Sequence, residues 1–170
     1  MADKYLKQVA GVRTEVEATS VSTGVSEAGD IVALDANGKL DTTLMPTGIG
    51  ADTASILASE NLAAGDFINI WDDASTTKVR KANAGAIGTR AHGFVLSAVT
   101  SGQNALVYFE GNNNQVSGQT GGTNLFLSAA TSGEATVTAP SGSADIVQAL
   151  GVAISATSIN VEIGDPIVLA

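Results

Sequence analysis

Short apolar runs separated by turn-forming residues dominate the chain from about residue 53 onward. The runs cover residues 56–58, 67–71, 77–81, 92–96, 105–109, 125–128, 135–138, 146–154 and 158–163. Gly, Asn, Ser and Asp lie between them, and the spacing of about 8–12 residues is typical of β-sandwiches and β-barrels. Only residues 51–64 look briefly helical, and β-branched residues near the start favour strand and turn there. The sequence therefore predicts an all-β fold, either a sandwich or a barrel.

The first 50 residues follow a different pattern. Residues 5–9 and 12–16 alternate like two strands, with Gly11 as the turn between them. Residues 19–29 have no sustained period and predict an extended linker. Asn37-Gly38 predicts a hairpin with a type I′ turn, which needs positive φ at both central positions. We expect residues 1–50 to form an extended N-terminal arm with a hairpin linker, and residues 51–170 to form a β-rich domain.

Charge and residue usage exclude several classes of function. Eight Lys and Arg against 17 Asp and Glu give a net charge of −9, which disfavours binding to nucleic acid. The chain has no Cys and a single histidine, His92, so thiol chemistry and multi-histidine metal sites are excluded. No apolar run approaches the ~20 residues of a membrane helix, and no leader pattern follows Met1. We therefore expect that the protein neither binds a membrane nor carries a cofactor.

All eight basic residues lie in the first 90 positions of the chain. The final 80 residues contain no Lys or Arg and only a few acids: Glu110, Glu134, Asp145, Glu162 and Asp165. Either this surface is covered in an oligomer, or it is a solvated neutral surface rich in Ser, Thr and Asn. The abundance of Ala also predicts a thin core, since core energy scales with apolar area buried, which favours burial between subunits.

Candidate catalytic residues are sparse. A hydrolase would use His92 with Ser97 or Ser101 as nucleophile and Asp66 or Asp72 as orienting acid, but no nucleophile-elbow motif is present. Asp72-Asp73 and Asn112–Asn114 have the composition of turns and loop tips. Six of the seven aromatic residues lie in apolar strands, which favours core packing over a sugar-binding surface. The expectation is a protein that is not an enzyme and has no metal site.

Three phrases in the sequence resemble virion proteins of tailed bacteriophages. The first is AGDIVALDANGKLD at residues 28–41 with LMPTGIG at 44–50, the second is LAAGDFINI at 62–70 with AHGFV at 91–95, and the third is NLFLS at 124–128 continued by IVQALGVAIS at 146–155. Together they resemble capsid decoration proteins, also called cement or head-fibre proteins.

The resemblance implies a structural protein on the outer surface of the capsid, where it binds the major capsid protein and forms a homo-oligomer, with a trimer favoured. We expect the alternating N-terminal segment to make the capsid contact by β-addition and charge. The residues expected to do so are Lys4, Tyr5, Leu6, Lys7, Val9, Val12, Arg13 and Val16. Two alternatives are a tail-fibre, collar or spike subunit that contacts the host, and a carbohydrate-binding module that uses an aromatic such as Trp71 or Tyr108.

Overall fold

A computed structural model describes residues 3–45 and 51–170. Strands, turns and short 3₁₀ turns make up this part of the chain, in which there is no α-helix. The chain divides into two compact units, Met1–Gly50 and Ala51–Ala170. The predicted all-β class is confirmed.

The first unit begins with an antiparallel hairpin. Strands β1 (Lys4–Val9) and β2 (Val12–Glu17) pair throughout, from Lys4 with Glu17 to Val9 with Val12. Ala10 and Gly11 connect them with φ of 47° and 83°, the two positive values of a type I′ turn. Two 3₁₀ turns follow, Val25–Glu27 and Thr42–Leu44. The predicted pair of strands with a turn at Gly11 is therefore confirmed.

Residues 19–29 fold back instead of forming the predicted extended linker. The Thr19 amide donates to the carbonyl of Ile31 (2.9 Å), and the Ala33 amide donates to the carbonyl of Thr19 (3.0 Å). The Glu27 carboxylate closes the loop by accepting from the Thr23 amide (2.7 Å) and hydroxyl (2.6 Å) and from the Ser22 hydroxyl (2.9 Å). A periodicity argument misses this loop because polar side chains, rather than a buried face, hold it.

A turn forms at Asn37-Gly38, but the predicted hairpin with type I′ geometry is wrong, because no strand lies on either side of the turn within residues 18–45. Only Gly38 has positive φ (71°), while Asn37 does not. Asp35 Oδ1 accepts from the amides of Asn37 and Lys39, both at 2.8 Å, and the Gly38 amide donates to the Asp35 carbonyl (2.9 Å). This is a type I turn followed by one left-handed glycine, and the Asp35 side chain stabilises it. Met45 is extended, whereas Pro46 and the rest of the phrase at residues 46–50 lie outside the described residues.

A closed five-stranded barrel opens the second unit. Its strands are β3 (Thr53–Ala58), β4 (Phe67–Asp73), β5 (Thr76–Lys81), β6 (Gly93–Val95) and β7 (Asn104–Tyr108). They follow the order β3-β5-β4-β6-β7, and β7 pairs back with β3 to close the barrel. Ile68, Val79, Val95 and Val107 fill one fully buried cluster. A 3₁₀ turn, Ile87–Thr89, lies between β5 and β6.

A five-stranded antiparallel sheet follows the barrel. It consists of β8 (Gly111–Asn113), β9 (Asn124–Leu127), β10 (Ala135–Thr136), β12 (Ala149–Ser155) and β13 (Ser158–Val161), in the order β10-β9-β12-β13-β8. A separate pair joins β11 (Ile146–Val147) to β14 (Ile167–Val168). Leu125, Leu150 and Ile159 of the sheet share one buried cluster with Phe67 and Phe94 of the barrel strands. The sheet therefore packs one face against the barrel.

The prediction of a loop tip at the Asn-rich residues 112–114 is wrong for Asn112 and Asn113, because both belong to β8. Asn113 is fully buried and its Nδ2 donates to the carbonyl of Gly65 (2.8 Å). A polar residue is stable there because the backbone of a neighbouring loop satisfies its amide. Strand β8 escapes sequence analysis because its pairing partner, β13, lies almost 50 residues away.

Candidate interaction surface

The residues predicted to contact a partner lie on the β1–β2 hairpin and divide between its two faces. Directly paired residues share a face, so the register places Tyr5, Lys7, Val9, Val12 and Val16 on one side. Lys4, Leu6 and Arg13 lie on the other side, where Lys4 forms an ion pair with Glu15 (2.6 Å). The predicted set is thus two surfaces, one largely apolar and one largely charged.

Asp30 ties the apolar face of the hairpin to the following loop. Its Oδ1 accepts from the Tyr5 hydroxyl (3.0 Å) and from Lys7 Nζ (2.8 Å), and the Ile31 amide donates to the Tyr5 oxygen (3.3 Å). The Lys7 ammonium, followed by the Tyr5 hydroxyl, lowers the pKa of Asp30, and Asp30 in turn raises the pKa of Lys7. Tyr5 and Lys7 therefore already have partners within the first unit. Sequence analysis missed Asp30 because 25 residues separate it from Tyr5.

Three further carboxylates of this unit are held in the charged form by hydrogen bonds. The Thr23 hydroxyl is the main cause that lowers the pKa of Glu27. The Lys39 amide does the same for the pKa of Asp35, and the Thr43 hydroxyl does so for the pKa of Asp41. Polar contacts, and not a core, hold this unit in shape.

No residue among those described in positions 3–45 is buried. Large apolar side chains are exposed throughout this stretch: Leu6, Val9, Val12, Val21, Val25, Ile31, Val32, Leu34, Leu40 and Met45. Leu6 is 72% exposed, Val12 65% and Val25 91%. Val9 and Val12 are directly paired on one face of the hairpin and both are exposed, and exposed apolar patches mark interaction surfaces in proteins. The hairpin residues of this set were predicted, whereas those after residue 20 follow no periodic pattern and were missed.

The five-stranded sheet carries a second unusual surface. None of its strands, β8, β9, β10, β12 and β13, contains a charged residue. Asn112, Asn160, Val152 and Asn124 lie side by side across the sheet on the face opposite the buried leucines. Val152 and the nearby Ile154 are exposed. The shortage of charge in the last 80 residues therefore includes the solvent-facing side of this sheet.

The residues considered for hydrolysis have other partners. His92 contacts Asn69, Ile70 and Arg90, and none of the candidate serines or acids is hydrogen-bonded to it. Asp66 accepts from the Ala63 amide (2.7 Å) and pairs with Lys81 (3.1 Å), while Ser101 donates to the carbonyl of Ser59 (3.1 Å). The catalytic grouping that the residue types would permit is not assembled.

The two aromatic residues considered for sugar binding differ in their surroundings. Tyr108 stacks on Phe94 at 5.6 Å between ring centroids and packs against the core. Trp71 is half-buried on the outside of the barrel, where the guanidinium of Arg80 lies 4.5 Å from its ring centroid and its Nε1 donates to the Ser59 hydroxyl (3.3 Å). Trp71 borders an open groove.

Within residues 3–45 and 51–170, no group of three or more acidic or histidine side chains is arranged to hold a metal ion. No helix in the same ranges is long and apolar enough to cross a membrane. Comparison with protein-family models, curated proteins and solved structures finds no significant match to this chain.

Proposed function

We propose that this protein is a non-enzymatic component of a tailed-phage virion that decorates the outer surface of the capsid. Residues 1–50 bind the major capsid protein, and residues 51–170 associate with copies of themselves as a trimer. The three phrases at residues 28–50, 62–95 and 124–155 support this assignment by their resemblance to decoration proteins.

The observation that carries the proposal is the lack of any buried residue in positions 3–45 together with the exposed apolar side chains there. Burial of apolar area is the dominant favourable contribution to folding and association, at about 25 cal/mol per Å². A segment of this size that fully buries none of its side chains gains most of that contribution only against another surface. A capsid shell supplies such a surface, and many symmetric copies of it make weak individual contacts add up.

The uncharged sheet supports self-association. Each chain carries a net charge of −9, so copies repel one another unless they meet where charge is absent. The outer face around Val152 and Asn160 meets that condition, because covering it desolvates amide and aliphatic groups but no ion. The sheet face is therefore proposed as the contact between like subunits.

A binding assay on phage heads prepared without the protein tests the capsid contact. We expect the wild-type chain to co-sediment with the heads and to saturate them at hundreds of copies per particle, which separates a head location from a tail location. The double variant Val9→Asp/Val12→Asp should bind at least about tenfold more weakly, because two apolar side chains next to the turn become charged. Leu106→Asp is the matched control, since Leu106 is an equally exposed apolar residue on β7 of the barrel.

Two outcomes contradict the proposal. Failure of the wild-type chain to bind heads rejects the decoration function itself. Undiminished binding of the double variant, with Leu106→Asp also unaffected, rejects the hairpin as the contact.

Light scattering on the free protein should give three times the 17.0 kDa chain mass, and Val152→Lys should lower that mass.

A further inference from the structure

A groove on the outside of the barrel has the chemistry of a small binding site. Its volume is about 430 Å³, within the range of small-ligand pockets. Ile70, Trp71 and Ile87 supply apolar lining, and Asn69, Arg90 and His92 supply polar groups. The 3₁₀ turn Ile87–Thr89 forms one wall, and strand β4 forms another.

The two arginines at this groove have no carboxylate partner among the described residues. Residues 51–170 contain four Lys and Arg against ten Asp and Glu, so partners are plentiful. Lys78 pairs with Asp73 (2.7 Å) and Lys81 with Asp66 (3.1 Å). Arg80 instead donates to the Asn69 side chain and to the Gly88 carbonyl, both at 3.0 Å. The unpaired positive charge of an acidic unit is thus gathered at one place.

The side chain of Arg90 has donors to spare at the groove. Its Nε donates to Nε2 of His92 (3.0 Å), while the Ile70 amide donates to Nδ1 of the same ring (2.9 Å). A neutral imidazole accepts at only one of its two nitrogens, so the ring cannot satisfy both donors. The terminal nitrogens of the Arg90 guanidinium have no hydrogen-bond partner among the described residues. An anionic oxygen in the groove would accept from them.

We propose that this groove binds an acidic sugar, with the carboxylate at the guanidinium of Arg90 and the sugar ring against Trp71 and Ile87. A concave site of this volume fits one or two sugar rings, whereas a protein partner needs a surface of about 800 Å². The carboxylate lies on the Trp71 side, because the adjoining groove beyond Arg90 is lined by Glu110, Glu162 and Asp165. The inference does not depend on the proposed virion function.

Fluorescence of Trp71, the only tryptophan in the chain, tests the proposal with tri-galacturonate as the probe. We expect a saturable change in the full-length protein, matched by calorimetry, and at least about tenfold weaker binding by Arg90→Gln, which removes a charge-assisted hydrogen bond. Ile87→Glu should also abolish binding by repulsion, since Ile87 is exposed and its replacement leaves the core intact. Lys39→Gln, which removes a cation from the other unit, is the control and should bind normally.

Each remaining outcome overturns the proposal. Absence of saturable binding by both methods rejects the site, and so does unchanged affinity in Arg90→Gln and Ile87→Glu. Equal affinity for neutral tri-galactose shows that the groove does not recognise charge. Equal affinity for a hexaglutamate peptide shows that it recognises carboxylates on a polypeptide instead of a sugar.

Discussion

Gln148 provides the sharpest test of how the second unit is held together. Its side chain is 1% exposed and bonds to backbone groups on two other segments. Oε1 accepts from the Ala91 amide (2.8 Å), while Nε2 donates to the carbonyls of Ala91 (3.0 Å) and Gly164 (3.1 Å). One amide group thus connects the segment before β6 of the barrel to the segment after β13 of the sheet.

Gln148→Leu keeps a side chain of similar size and removes all three hydrogen bonds. A buried polar group left without a partner costs about 1–3 kcal/mol, and a carbonyl costs less than an amide N–H. The expected loss in the free energy of unfolding is therefore about 3–5 kcal/mol. With a urea m-value of about 2 kcal/mol per M, the unfolding midpoint should fall by about 2 M.

Urea unfolding followed by Trp71 fluorescence measures this loss, because the only tryptophan lies in the same unit. Gln103→Leu is the matched control, since Gln103 is exposed on a loop and should change stability by less than about 0.5 kcal/mol. A loss below about 1 kcal/mol for Gln148→Leu, with normal folding, would refute the argument that these bonds fix the barrel to the sheet.

Three further predictions concern the turn between β4 and β5, the single histidine, and the carboxylates of the first unit. Ala74 and Ser75 join β4 to β5 with φ of 51° and 69°, values that Asn and Gly adopt more easily than Ala and Ser. The double variant Ala74→Asn/Ser75→Gly should therefore raise the free energy of unfolding of this unit by about 1–2 kcal/mol, measured in urea. Ser97→Gly is the control, since Ser97 has no positive φ, and it should not stabilise the unit. Burial, followed by the charge of Arg90, lowers the pKa of His92, so the unfolded chain binds a proton more readily at this residue than the folded chain does. The stabilisation that His92 contributes should therefore be complete above its unfolded pKa of 6.5 and be lost as the pH falls below that value. His92→Asn, which retains an acceptor for the Ile70 amide, should flatten this part of the pH dependence of urea unfolding. Four carboxylates of the first unit have lowered pKa values and therefore stabilise it above about pH 4.5: Glu27, Asp30, Asp35 and Asp41. As the pH falls further, the NMR amide signals of β1 and β2 should lose dispersion while the signals of the barrel persist. Asp30→Asn should show the same loss of dispersion at neutral pH.

The strands that could be predicted from sequence are those whose own residues alternate between polar and apolar or are continuously apolar. Runs such as 67–71 and 105–109 alternate or are continuously apolar, and they form β4 and β7. Strands β8 and β14 were not predicted, because two or three residues give no period and distant partners define them as strands. Pairing with sequence-distant strands is a property of the whole fold and leaves little trace in a short window.

Turns show the same contrast between what their own residues predict and what their surroundings impose. Asn37-Gly38 has the preferred residues for a type I′ turn, yet the side chain of Asp35 favours another geometry. Ala10-Gly11 and Ala74-Ser75 lack the preferred pair and still adopt positive φ, because the twist of the paired strands imposes it. The groove beside Trp71 could not be predicted either, since Trp71, Ile87 and Arg90 meet only when β4 and the 3₁₀ turn come together.

The distribution of charge distinguishes the two contacts proposed for this chain. Copies that each carry −9 gain nothing from meeting through charged surfaces, and the sheet built from β8, β9, β10, β12 and β13 contains no ion at all. The hairpin, in contrast, presents Lys4, Arg13 and Glu15 beside exposed Leu6, which suits an unlike surface of complementary charge. A variant that adds charge to the sheet should therefore impair assembly between copies and spare capsid binding per chain, whereas one on the hairpin should do the reverse. An outcome in which both variants impair both properties would mean that the two contacts are coupled, as in an assembly whose capsid site forms only across subunits.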